Sequence, residues 1–340
     1  MQQKYRTAIF ASVGMFVLIL DAKTTIFAAR EAIGICTQTV IPSLLPFFFL
    51  SILLTDSLKV TRFGILRPLG KLCRMSPGCE SYLLLGLLGG YPSGAQCVTQ
   101  AYQSGAISRK EAHRLLGFCS NAGPSFLFGI CAAAFSSGTT AWWLWLIHIL
   151  SAVITGALLP GGYNDHLTNS KPQDPITAPD SLKRSILILT GICGWIILFR
   201  VILTFCQRWF LWLLPVSAQA AAAGLLELSN GCLELSTIPS EGLRFTVCSV
   251  ILAFGGLCVW MQTRSVTGEL GMGLYFPGKI LQTTVSLVLA LICQSFLYSG
   301  SDKISINGYT FLGIGFFIVF LSVILQIRKN FSRFPIKVGV

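Results

Sequence analysis

Stretch after stretch of this chain is apolar enough to sit in a bilayer, and that recurrence leaves it few folds. About 18 or more apolar residues with few charges read as a spanning helix, because about 20 residues at 1.5 Å each match the hydrocarbon core. Such stretches fall at 114–134, 141–159, 184–206, 243–262, 278–298 and 309–326, with shorter ones at 7–20 and 40–54. Backbone in hydrocarbon must satisfy its own hydrogen bonds, so these runs must be helical. Composition agrees: 53% of the 340 residues are hydrophobic, 11% are charged and mean hydropathy is +0.71, whereas a soluble domain carries about 25% charged residues. The fold class is therefore all-α, a polytopic membrane protein with about eight transmembrane helices.

Net charge is +12, from 25 Lys and Arg against 13 Asp and Glu. The basic residues cluster between apolar runs, as the positive-inside rule expects, so they are read as topology and no nucleic-acid partner is expected. None of the twelve cysteines forms a C-x-x-C pair, and there are three His. Most cysteines lie in apolar runs, Cys36, Cys193, Cys206, Cys248, Cys258 and Cys293 among them, where the thiol behaves as a small hydrophobe. No disulfide framework, metal site or cofactor is expected.

Five segments follow. Residues 1–30 read as an N-terminal signal anchor behind Lys4 and Arg6, since "TTIFAAREA" is a poor cleavage site. Residues 31–159 form a first membrane half and 184–326 a second. Between them, 160–183 is a polar loop rich in Pro, Asp and Asn, and 327–340 is a basic tail with Arg328, Lys329, Arg333 and Lys337. Loop 57–80, with Lys59, Arg62, Arg67, Lys71 and Arg74, marks the cytosolic side, as does the tail. The expected location is the cell membrane with both termini cytoplasmic. With loop and tail on one side, the number of spans between them is even. Full spans at 81–104 and 217–240 would put Arg109, Lys110 and Arg114 outside; re-entrant hairpins there keep them inside.

The first of those segments holds "GGYPSGAQ", residues 89–96. Pro92 removes a donor and disfavours helix before it, while the glycines permit reversal and close approach. Two half-helices, 81–90 and 95–104, would meet at a tip made of Gly90, Tyr91, Pro92, Ser93, Gly94 and Gln96. The next run, "GFCSNAGPSFLFGI", carries Asn121, Gly123 and Pro124 at an expected unwound point. In the second half "GLLELSNGCLEL" places Glu227, Asn230 and Gly231 in apolar surroundings, and "AFGGLCVWMQT" has paired glycines followed by Gln262. Intramembrane carboxylates are costly and mark functional pathways or buried partners. The plainer readings are a kinked helix with packing glycines, and a Glu227 at the interface. Arg200 either snorkels to the outer interface or pairs with Glu227 or an anionic substrate. Each half thus offers a small-residue hairpin and then an interrupted helix, the pattern of an inverted repeat in secondary transporters, where solute sits between broken helices.

Together "IPSLLPFFFLSILL", "GLLGGYPSGAQ", "GAISRKEAHRLLGFCSNAGPSFLFGI", "LLELSNG" and "AFGGLCVWMQ" resemble the sporulation integral membrane proteins of the YlbJ type, which carry the nucleoside-recognition (Gate) domain. The resemblance runs from about residue 30 to 300 and is most specific at "GYPSGA" and "NAGP". It implies a bacterial multi-pass protein of a spore former, needed in spore development. It also implies a Gate domain similar to part of the concentrative nucleoside transporters, with re-entrant hairpins and unwound helices around substrate. Those transporters place acidic and amide residues at the first tip. Here Tyr91, Pro92, Ser93 and Gly94 stand there, with Gln96 the one amide nearby.

The expected function is a transporter-like permease for a small polar solute, with a cation or proton as coupling partner and Glu227 as its carrier. The alternative is a non-transporting scaffold for spore envelope or cortex assembly, working through loops such as 160–183. No enzyme activity is expected: His113 and Asp165 are placed in loops, His148 stands alone in "WLIHILSA", and phosphate-loop and dinucleotide signatures do not occur. The partners are the lipid bilayer and the solute. Association into a homo-oligomer stays open.

Overall fold

Asp21 divides the first apolar stretch. Helices α1 (Gln2–Leu20) and α2 (Ala22–Ile35) meet there at a bend of 97°, and the Asp21 carboxylate caps α2 by accepting the Thr24 N–H. The computed structural model describes residues 2–58, 64–161 and 176–298. The expected span 309–326, the tail 327–340, most of the polar loop, Lys59, Arg62 and Asp165 lie outside the described residues.

From α2 the chain passes through a π-helical turn, Cys36–Val40, into α3 (Ile41–Leu58). Pro42 has no N–H to return to the preceding turn, and widening the ladder just before it absorbs the loss. After the short α4 (Arg67–Leu72) come the half-helices α5 (Glu80–Gly89) and α6 (Ser93–Gln103). The expected span 114–134 is not one helix: α7 (Arg109–Leu116), an unwound stretch, α8 (Pro124–Gly129) and a 3₁₀ turn at Cys131–Ala134 replace it. Helices α9 (Gly138–Leu158) and α10 (Ala178–Trp209) are continuous. A second pair of half-helices, α11 (Val216–Leu226) and α12 (Leu228–Glu234), precedes α13 (Glu241–Phe254), α14 (Gly256–Thr267) and α15 (Tyr275–Leu297).

Among the described residues, α9, α10, the run Glu241–Leu270 and α15 are long and apolar enough to cross a membrane, with a fifth if the bent pair α1–α2 is one span. The chain is thus an all-α, multi-pass membrane protein.

Charged contacts place the ends of each hairpin. At one end the Arg114 guanidinium donates to the carbonyls of Cys73 (2.5 Å) and Gly156 (2.7 Å), and the Glu111 carboxylate accepts the Ser76 N–H. Arg67 pairs there with Glu80, at the start of α5, at 2.5 Å. Both ends of the α5–α6 hairpin therefore lie beside residues 109–114, at one end of α9. At the far end of α9 the Glu241 carboxylate accepts from Ser136 N (3.1 Å) and Oγ (2.5 Å), and Arg244 donates to Ala134 O. The α11–α12 hairpin returns to the chain at Glu241, at that other end of α9.

Each hairpin closes on a glycine pair. A Cβ on Gly94 would lie 1.9 Å from the Cys119 carbonyl and 2.9 Å from Gly86 Cα. A Cβ on Gly231 would lie 2.1 Å from Gly224 Cα. Leu83, Ala95, Val98, Leu115 and Phe118 bury the first hairpin against Tyr275 and Leu281 of α15. Leu228, Cys232, Phe245 and Ile251 bury the second against α8 and α9.

Candidate functional site

The two tips line one narrow cleft with a cavity volume of about 40 Å³. Tip one contributes Gly89, Gly90 and Tyr91; the unwound stretch and the start of α8 contribute Ala122, Gly123, Ser125 and Phe126. Tip two contributes Glu227, Leu228 and Ser229 from the other hairpin, and α14 adds Val259 and Gln262. Val40 and Leu44 beside the π turn, with Ile192 and Ile196 of α10, form an apolar wall. Helix α13 has 14 residues and α14 has 12, so the break between them lies about 21 Å from one end and about 18 Å from the other. The break therefore lies near the middle of the α13–α14 run.

Tip one reverses in three residues, a tighter turn than 81–90 and 95–104 imply. Gly90, at φ +76°, makes the reversal, and Ser93 N–H closes it onto Gly90 O at 2.8 Å. Gly90 lies against Gly123, where a Cβ would come within 2.9 Å of its backbone. The Tyr91 hydroxyl donates to Leu252 O (3.2 Å) and its ring covers Gly255, which stands at φ +84° in the break between α13 and α14. Tip one is thereby joined to the interruption of the second half.

Tip two is a single residue. Glu227, extended at φ −144°, is both the last donor of α11 and the cap of α12. Its carboxylate accepts the N–H groups of Ser229 (3.0 Å) and Asn230 (2.7 Å) and is 2% exposed. A carboxylate at a helix start is favoured by the free N–H groups and the dipole there. Among the described residues it has no ion-pair partner. It is a buried carboxyl group that lines the cleft.

Of the candidate residues, Gly90, Tyr91, Gly123, Glu227 and Gln262 line the cleft. The others support it from behind. Ser93 Oγ donates to Gly89 O at 3.2 Å, Gly94 and Gly231 close the hairpins, and Pro124 opens α8. Pro92 is buried and Gln96 half-buried on α6, and neither lines the cleft. Asn121 turns away: its amide donates to Phe118 O (2.8 Å) and its carbonyl accepts from Gln282 (2.9 Å). Asn230 Oδ1 accepts from Arg200 at 3.3 Å, and its buried Nδ2 has no partner among the described residues. Arg200 forms no ion pair with Glu227; it donates also to Glu31 at 3.1 Å and lies 3.9 Å from Glu234. Arg200→Met should lower the melting temperature by a few degrees, about 1–2 kcal/mol for a charged hydrogen bond lost. Unchanged melting would contradict that role.

Two supports were not read as such from the sequence. His148 Nε2 accepts the Ala122 N–H at 3.0 Å, which pins the unwound stretch. Lys279, 1% exposed on α15, donates to the Tyr91 hydroxyl (2.9 Å), Ser120 O (2.5 Å) and Gln282 Oε1 (2.8 Å). Its signal was a Lys and a Gln three residues apart in "GKILQTTV". Standing at the start of a span, the lysine reads as a flanking charge. His113 is helical, in α7, with Nε2 2.7 Å from Leu270 O.

The chain is similar to the sporulation integral membrane protein YlbJ of Bacillus subtilis (strain 168), with 25% identity over 352 aligned positions that cover 87% of this chain and 85% of that protein. That agrees with the YlbJ-type resemblance of the motifs. No family model matches the chain, and no solved structure matches it.

Proposed function

We propose that the chain is a carrier that moves a small polar solute across the cell membrane of a sporulating bacterium, both termini facing the cytosol. One observation carries the reading: two half-helix tips, from hairpins rooted at opposite ends of α9, line a single cleft with a buried carboxylate on one of them. Irregular backbone at membrane depth persists where it is buried in protein or lines a wet cavity, and carriers built from inverted repeats place solute between such breaks. The order of parts supports a repeat of that kind. Each half has a glycine-closed hairpin and then a helix interrupted at glycine, with Gly123 against Gly90 in one and Gly256 facing Gly224 O in the other. In this reading the Gate-like unit comprises α5 to α8, and Glu227 carries the coupling proton or cation. The similarity to YlbJ supports the link to sporulation.

The purified chain, melted against nucleosides, amino acids, organic acids and divalent cations, should be stabilised by one class. At a hundredfold excess over its dissociation constant a ligand adds about 2.7 kcal/mol. Gln262→Leu should blunt that gain. A scaffold would gain nothing from any of them and would keep its function when Ser125 and Gln262 are replaced.

A further inference from the structure

Lys279 carries a buried amine, 1% exposed. In its ammonium form it has three N–H donors, and three oxygens from three separate pieces of chain accept them: the Tyr91 hydroxyl on tip one, the Ser120 carbonyl in the unwound stretch, and Gln282 Oε1 on α15. The rings of Tyr91 and Tyr275 face it at 4.9 and 5.9 Å. Among the described residues no carboxylate pairs with it. A structural lysine in hydrocarbon would be expected beside an acid or reaching for the interface. This one is coordinated as a small inorganic cation is, by carbonyl, hydroxyl and amide oxygens and by ring faces.

In carriers with broken helices, unwound carbonyls hold a coupling cation. We infer that the Lys279 amine fills such a cation site, so that the chain supplies from its own side chain the donor that ties tip one to the unwound stretch and α15. Removing the side chain should leave an oxygen cage for a free monovalent cation. The inference goes beyond solute movement, because its test reads melting temperature and no uptake.

The whole chain, purified in detergent, would be melted in sodium, potassium or N-methylglucamine chloride at equal ionic strength. The parent should melt at one temperature in all three. Lys279→Ala should melt several degrees lower in N-methylglucamine and regain that loss saturably in sodium or potassium. Lys279→Met, whose side chain fills the space, should regain nothing. Equal melting of Lys279→Ala in the three salts, or a cation-specific gain in the parent, would overturn the inference. Should Lys279→Ala not fold, Gln282→Leu decides: one cage oxygen is lost, melting should fall equally in every salt, and an unchanged melting temperature would overturn the cage.

Discussion

Gly94→Ala should cost the protein most of its folded population, and Gly231→Ala should do the same to the other hairpin. The added methyl of the first would lie 1.9 Å from the Cys119 carbonyl oxygen and 2.9 Å from Gly86 Cα. That of the second would lie 2.1 Å from Gly224 Cα and 2.4 Å from its nitrogen. All of these are backbone atoms, which cannot rotate out of the way as a side chain can. Overpacking of a close-packed interior costs about 1–3 kcal/mol when neighbours can relax, and these sites should exceed about 3 kcal/mol because they cannot. Gly194→Ala in α10, where an added Cβ meets nothing within 4 Å, is the control. It should melt at or above the parent temperature, since a helical glycine is less favourable than alanine. Melting of the three variants in detergent checks the contrast. Equal stability of Gly94→Ala and Gly194→Ala would mean that the hairpin does not close on Cys119.

Glu227→Gln should abolish solute movement while leaving the chain inserted. The carboxylate accepts one N–H on each oxygen, from Ser229 and Asn230. An amide keeps one acceptor and turns an NH₂ toward the other donor, so one buried N–H loses its partner at a cost of about 1–3 kcal/mol. The negative charge at the start of α12, which complements the free N–H groups there, goes with it. Tip two should loosen and lose the group proposed to exchange a proton or cation. Uptake into vesicles reconstituted with the variant, compared at equal amounts of inserted protein, should fall to background, while the inserted amount should fall no more than several-fold, as a loss of about 1–2 kcal/mol produces. Parent-level uptake would remove Glu227 from the mechanism. Glu227→Asp, shorter by one methylene but still charged, should retain part of the activity.

Those two residues also mark how much could be read before the fold was known. A carboxylate and a Gly-Gly-x-Pro run have no place in a continuous spanning helix, so both tips and both interruptions were legible from residue type alone. The charge rule applied to Arg109, Lys110 and Arg114 was enough to fold α5–α6 back on itself. What stayed hidden were the partners. Gly86 and Gly94 flank the break as ordinary small residues, and only the reversal at Gly90 brings them together. Asn121 was legible as a polar group at membrane depth, but its direction depends on Gln282, more than 150 residues away. Arg200 likewise had two plausible courses, and its acceptors lie on α2 and α12. Lys279 was missed because hydropathy places a lysine at the margin of a span, whereas packing sets α15 so that this margin is deep in protein. The apolar wall from Val40, Leu44, Ile192 and Ile196 was unreadable for the opposite reason, since nothing sets those residues apart from any other apolar helix face.

The most direct measurement photo-cross-links the two halves across the cleft. Phe126, 9% exposed and on the cleft wall, can be replaced by benzoylphenylalanine, which is similar in shape and inserts into C–H bonds it touches. After irradiation of the protein in membranes, peptide mapping should find the adduct on 227–229 or on 192–196, both in the second half of the chain. Adducts confined to α8, α9 and neighbouring first-half residues would mean that the tips do not share a cavity.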